Sequence, residues 1–154
     1  MGVDIVCDEN RYSCGYQRWN KFRVGVIQAT FRYIETVLKP TENPDIFLKE
    51  LLEYLEIVRV KQADQGLDSF LSTQQLTIVE LNIVDIFIHF GLGGLFVLCN
   101  KTDCDGCYSV GNSVDICELF GKISDYIDDE FPQWEQIRGV FQESVEKNTI
   151  VMVL

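Results

Sequence analysis

Along the chain the spacing of apolar positions changes several times, and each change marks an element. Residues 3–7 alternate in twos and predict a short strand. Residues 8–11 turn, and residues 12–16 predict a second strand that pairs back as a hairpin. From residue 17 to residue 39 the period is helical. Trp19, Val26, Ile27, Tyr33, Ile34 and Val37 share one face, with Arg18, Lys21 and Arg32 opposite. Arg23 projects within the apolar arc. A snorkelling stem is the simplest account of it; a buried, anion-binding arginine is the sharper one.

The pattern continues after a loop at residues 40–44. Asn43 is the expected cap of a second helix and Pro44 suits its first turn. That helix runs to about residue 60, with Ile46, Leu51, Leu52, Leu55 and Val58 inward. Residues 62–69 are polar, contain Gly66 and predict a loop. A third helix over 74–90 ends at Gly91. It is apolar nearly all round, with a strip of Asn82, Asp85 and His89, which predicts a central position. Residues 95–99 form a short continuous apolar run, read as a buried strand, and 100–112 as a loop. Ser113 is the expected cap of a fourth helix to about residue 130, with Ile116, Leu119, Phe120, Ile123 and Ile127 inward. Pro132 opens a fifth helix to about residue 147, and the apolar tail 150–154 fits an edge strand. The expected fold class is α+β: about five helices packed on a small sheet of two to four strands, helix-dominated, in one domain over 1–154.

Composition narrows this further. A chain of 154 residues that is 47% hydrophobic and 12% aromatic can build an ordinary core. The formal net charge is −11, which disfavours non-specific binding to nucleic acid phosphates. The charge is divided along the chain. Residues 10–34 carry Arg11, Arg18, Lys21, Arg23 and Arg32 and no acid, whereas 103–147 are rich in Asp and Glu. Two solvated faces account for that; a docking surface or head-to-tail self-association is the more specific reading. Asp4, Asp8 and Glu9 stand where the apolar core of a secretory signal would lie. Residues 83–99, the most apolar stretch, contain Asp85, His89 and the break at Gly91, Gly93 and Gly94, so no membrane span is expected. Cys7, Cys14, Cys99, Cys104, Cys107 and Cys117 are then expected as reduced thiols in a cytoplasmic, reducing compartment.

The candidate chemistry centres on residues 100–107. Asn100-Lys101-Thr102-Asp103 after an apolar run matches the guanine-reading tetrapeptide of many GTPases, but the phosphate-cradling loop such proteins need is absent. Cys104 and Cys107 form a Cys-x-x-Cys. As a redox pair they would need a positive surrounding, and Asp103 and Asp105 flank Cys104 instead. As half of a structural zinc site they lack a second pair at knuckle spacing, so zinc remains the weak alternative to no cofactor. Asp103, Asp105 and Gly106 resemble the middle of an EF-hand loop, yet Lys101 and Asn112 fall where acids are required. Asp85 and His89, four apart on one helical face, can hydrogen-bond as half of a catalytic triad, with no nucleophile placed beside them. An architectural turn explains the loop as well, since Asp and Thr bond their own backbone and Gly supplies positive φ.

The run of apolar residues, then Asn100, Thr102, Asp103, Cys104 and Gly106, then a helix opened by Ser109, resembles a group of small, functionally unassigned proteins of bacteria, phages and large DNA viruses. The opening Met1-Gly2-Val3-Asp4-Ile5 is similar to theirs. The match covers about twenty residues and omits Cys107. It implies that Asp103, Cys104 and Gly106 act together, and it implies no activity. The expectation is therefore a small acidic interaction protein, virus- or phage-encoded, cytoplasmic in the host, whose partner is another protein or a second copy, with no nucleic acid, no membrane and no catalytic residues. Its candidate loop is Asn100, Thr102, Asp103, Cys104, Asp105 and Gly106, with Arg23, Asp85 and His89 as secondary candidates. A small-ligand binder or enzyme using that loop, and a structural subunit of an assembly, are the alternatives.

Overall fold

The computed structural model describes residues 2–65, 78–100, 106–128 and 133–154, with side chains described for these except 59–65, 78–82 and 100. Strands β1 (Gly2–Cys7) and β2 (Asn10–Gly15) form the expected hairpin around a two-residue turn, with Asp8 at φ 43. Their register runs unbroken from Gly2 opposite Gly15 to Cys7 opposite Asn10. Val3, Ile5, Cys7, Tyr12 and Cys14 face the core, and Asp4, Arg11 and Ser13 the outside, as period-two alternation requires. Two further strands, β3 (Gly106–Tyr108) and β4 (Val151–Val153), complete an antiparallel sheet in the order β2-β1-β4-β3.

The chain's tail is thus a strand, but not an edge strand as its position in the sequence implied. β4 lies between β1 and β3, and Asp4 and Leu154 exchange both backbone hydrogen bonds at 2.9 Å. Val151 and Val153 face the core while Met152 is exposed. A three-residue strand buried on one face gains most when both of its edges are paired.

Six α-helices are present among the described residues, and the fold is α+β and helix-dominated. Helix α1 (Tyr16–Tyr33) runs into a π-helical turn, Ile34–Leu38, and buries Trp19, Val26, Ile27 and Ile34 as its period predicts, and Phe22 besides; Tyr33 is half-buried and Val37 stays exposed. Helix α2 (Ile46–Gln65) is capped by Asp45, whose carboxylate accepts from the Leu48 N–H at 2.9 Å, rather than by Asn43, which sits at φ 54. Leu48, Leu51, Leu55 and Val58 are buried, and Ile46, expected inward, is 65% exposed because it precedes the first full turn.

Helix α3 (Ile78–His89), with side chains described from Ile83, has one buried and one exposed face there. Ile86 and Phe87 are buried, with Phe87 edge-on to Tyr54 of α2 at 6.0 Å, while Ile88 is 58% exposed. Apolar content all round a helix gives its hydrophobicity but not its neighbours. Helix α4 (Gly94–Asn100) occupies the run expected as a buried strand. Helix α5 (Val110–Ile123) starts earlier than expected, because Ser109 is its cap and accepts from the Asn112 N–H at 3.0 Å. Ser113, the expected cap, is fully buried inside it. It also ends earlier, at Ile123, and gives way to a 3-10 turn, Ser124–Tyr126. Helix α6 (Trp134–Lys147) closes with Asn148 in the left-handed conformation.

The core lies between the inner face of the sheet and α1, α5 and α6. It is strongly aromatic: Phe120 meets Trp134 at 4.6 Å, Phe22 at 6.3 Å and Phe141 at 6.1 Å, and Phe141 meets Tyr108 at 5.3 Å. Edge-to-face pairs of this kind add about 0.5–1.5 kcal/mol each beyond burial.

Candidate functional site at the α4–β3 connection

The connection that carries the candidate loop leaves α4 at Asn100 and enters β3 at Gly106. Thr102, Asp103, Cys104 and Asp105 lie outside the described residues. Gly106 is exposed and sits at φ 147, a conformation that side chains rarely adopt. The expectation that a glycine is needed there holds, and it opens a strand rather than lying inside a loop.

The upstream end of the connection is a helix for reasons of packing. Gly91, at φ 73, ends α3, and tight turns follow with Leu95 N–H bonded to Leu92 O at 3.1 Å and Phe96 N–H to Gly93 O at 3.2 Å. A Cβ on Gly94 would lie 2.4 Å from the Asp115 carbonyl oxygen and 2.8 Å from Ile116 Cα. The bare backbone of Gly94 therefore lets α4 lie directly against α5. Leu95, Leu98 and Cys99 are buried as a strand reading required, since a five-residue apolar run buries equally well in either form.

The last carbonyls of α4 have no partner within the helix and are met by side chains from two other elements. Tyr108 of β3, fully buried, donates its hydroxyl to Leu98 O at 3.4 Å. Arg23 of α1, 5% exposed, donates from Nη1 to Cys99 O at 3.5 Å and from Nη2 to Asn20 Oδ1. Its guanidinium carbon lies 5.9 Å from the centre of the Trp19 ring. Arg23 is thus buried and does not snorkel. A cation at a helix C-terminus is favoured by the helix dipole, and the indole face adds to that. Burial pushes the Cys99 thiol up to about 12, with Arg23 opposing the shift. Burial likewise raises the Tyr108 hydroxyl well above its ordinary range. Both groups therefore stay protonated and unreactive near neutrality.

The other sequence candidates separate. Asp85 and His89 are both exposed on α3, and no hydrogen bond joins them. The His89 ring stacks on Phe47 at 4.6 Å instead and meets Phe90 edge-on at 5.0 Å. A polar strip on an outward-facing helix turn has water and an aromatic neighbour to satisfy it, so half a triad is not assembled. Cys107 is exposed, beside Met152 in the register, while Cys7, Cys14 and Cys99 are buried as free thiols. Among the described residues no group of three or more His, Cys, Asp or Glu is arranged to hold a metal ion; Cys104 lies outside them.

Six acids of the acid-rich half are on the surface. Asp115 and Glu118 on α5, Asp125 and Asp128 around the 3-10 turn, and Glu135 and Glu146 on α6 are all exposed. Of the basic residues, Arg11 pairs with Asp4, and Arg32 donates to Tyr126 O at 3.1 Å and lies 3.7 Å from Asp128. Arg18 and Lys21 stay exposed at the start of α1.

Glu143 had no place in the sequence reading. It is 5% exposed on α6 and accepts from the Glu9 N–H at 3.0 Å, from Asn10 Nδ2, and from Lys147 Nζ at 3.0 Å. Lys147 in turn reaches Asp8 at 2.9 Å and Glu9 at 3.6 Å. The cluster ties the hairpin turn to the last turns of α6. Its only trace in the sequence is the i,i+4 spacing of Glu143 and Lys147. A cleft between the π-helical turn and α2, lined by Glu35, Lys39, Glu53 and Glu56, was equally unforeseen. Among the described residues no helix is long and apolar enough to cross a membrane. No protein-family model, curated protein or solved structure matches this chain.

Proposed function

We propose that the protein is a small acidic interaction protein without catalytic activity. It is encoded by a phage or large DNA virus and works in the reducing cytoplasm of the host. Its partner is another protein or a second copy of the chain, and neither nucleic acid nor a membrane is involved. The segment with Asn100, Thr102, Asp103, Cys104, Asp105 and Gly106 serves as a recognition element, and the acids of α5 and α6 as partner surface. The observation that carries this reading is the exposure of Asp115, Glu118, Glu135 and Glu146 on the helices that cover one side of the core. Exposed carboxylates steer a complementary partner and disfavour like-charged ones.

The test is capture from lysate of the expressing cell at physiological salt, with wild type and a Glu118→Lys, Glu135→Lys, Glu146→Lys variant as baits. A protein retained by wild type and lost by the variant supports the reading. No retained protein, together with a monomeric mass in solution, sinks it.

A second reading is favoured by one observation, the buried Arg23 guanidinium at the root of the connection. In it, Asp103, Cys104 and Asp105 work with Arg23 on a small ligand. Equal thermal stabilisation of wild type and Arg23→Met by a panel of small anions would remove it.

A further inference from the structure

The tip of the hairpin is tied to the last helix by polar contacts. Glu143 Oε1 accepts from the Glu9 N–H at 3.0 Å and lies 3.0 Å from Lys147 Nζ, and Oε2 accepts from Asn10 Nδ2. Both oxygens thus face donors, and at 5% exposure little water can replace them. The same ammonium lies 2.9 Å from Asp8 and 3.6 Å from Glu9. One cation therefore holds three carboxylates, one on α6 and two on the turn. Cys7, the residue before the turn, is 1% exposed, and its thiol donates to Thr149 O at 4.0 Å. Thr149 is the second residue after α6. The thiol is thus enclosed between the turn and the end of the helix.

A proton on Glu143 breaks this arrangement from within. A neutral carboxyl carries an O–H on one oxygen. On Oε1 it would point at the Glu9 N–H and the ammonium, and on Oε2 at the Asn10 amide. Donor then faces donor, which is costly at a buried site. The titratable groups around Glu143 are Asp8 and Glu9 from the turn, Cys7 from β1 and Lys147 from its own helix. Asn10 of β2 is neutral, and Arg11 turns to Asp4 on the outer face of the sheet. α5 meets α6 through Phe120 and Phe141 instead, and β4 carries no charge. The aromatic core around Phe120, Trp134 and Phe141 has no proton to gain, and the ladder between β1 and β2 does not use the clasp. Loss of these contacts therefore acts at the turn first.

We propose that Glu143 is an acid-operated clasp: a proton on its carboxylate frees the hairpin turn from α6 while the core stays closed, and the opening exposes Cys7. The protein then has two states that differ at the turn, and acidity selects between them. The donors hold the carboxyl below its ordinary 4.5, so the clasp is closed above that value and opens as pH falls through the folded-state value. The device is independent of the partner reading above.

The experiment uses the full chain as wild type, Glu143→Gln and Lys147→Met. Cys7 is labelled with dithiodipyridine, which reacts with thiols in acid, and the product is read by mass spectrometry. Fluorescence of Trp19 and Trp134 reports the buried core in the same samples. In wild type the labelling rate at Cys7 should rise at least about tenfold between neutrality and a pH below 4.5, before the fluorescence changes. The Glu9 amide signal should titrate together with the Glu143 carboxyl carbon in NMR. Glu143→Gln places an amide N–H where the proton would go and should label fast already at neutrality. Lys147→Met removes the cation, so its opening should come at higher pH than in wild type. Should Glu143→Gln not fold, wild type and Lys147→Met carry the same test. Labelling of Cys7 that rises only together with the fluorescence change overturns the clasp, because acid then unfolds the whole chain. So does a Glu9 amide that does not follow Glu143, or an equal opening pH for wild type and Lys147→Met.

Discussion

The Glu143 carboxylate, on the last helix, accepts a 3.0 Å hydrogen bond from the backbone N–H of Glu9, in the first turn of the chain. That bond, with Lys147 and Asn10 around the same carboxylate, lowers the Glu143 pKa from its ordinary 4.5. A depressed carboxyl contributes stability that is present above 4.5 and is lost as pH falls through the folded-state value. Lys147, raised mainly by Asp8 and then Glu143, contributes stability that is present below its ordinary 10.5 and fades at more alkaline pH. The wild type should therefore lose stability on acidification below 4.5, and Glu143→Gln should be less stable at neutrality and flatter across that range. Urea midpoints measured across the acid range check this, and parallel curves for the two proteins would contradict it.

Tyr108→Phe should destabilise the protein by about 0.5–1.5 kcal/mol, the net worth of one buried hydrogen bond. The hydroxyl it removes is the one that meets Leu98 O at 3.4 Å. Chemical denaturation measures the loss, and an unchanged midpoint would mean that the α4 carbonyl is satisfied in another way.

Glycine substitutions should separate by site. Gly94→Ala forces a Cβ to 2.4 Å from the Asp115 carbonyl oxygen and should cost about 3 kcal/mol. Gly106→Ala places a side chain at φ 147 and should cost about 1–3 kcal/mol. Gly121→Ala, on an exposed helix position with nothing within 4 Å, should stabilise by about 0.5–1 kcal/mol. Melting temperatures of the three variants give the order, and a destabilised Gly121→Ala would break it.

Among the described cysteines, Cys107 should react fastest with an alkylating reagent, since it alone is exposed. Cys99, with its thiol pushed up to about 12 by burial, should react only on unfolding. Mass spectrometry of timed reactions reads this directly, and early labelling of Cys99 would show that α4 opens locally.

Much of the fold was legible in the chain. The hairpin, α1 and the inward faces of α2 and α5 follow from side-chain periods of two and 3.6, which are properties of neighbours in sequence. The site was less legible. Residues 95–99 are a five-residue apolar run without a period, and the close approach of Gly94 to Asp115, which goes with a helix there, lies outside it. Ser109 and Ser113 are equally good caps by type, and burial of Ser113 among the core decides between them. Arg23 stood out as an anomaly in an apolar arc, but its partners, Cys99 O and the Trp19 ring, lie partly on another helix.

By itself the sequence determined the α+β class, the helical content, the hairpin and the division of charge, because each arises from residues within a few positions of one another. Only the tertiary structure decided that β4 pairs between β1 and β3, that Glu143 holds the turn at Glu9, and that β2 and β3 take the two ends of the sheet. Those outcomes depend on contacts between residues far apart in the chain, whose energies compete over the whole fold and leave no local pattern.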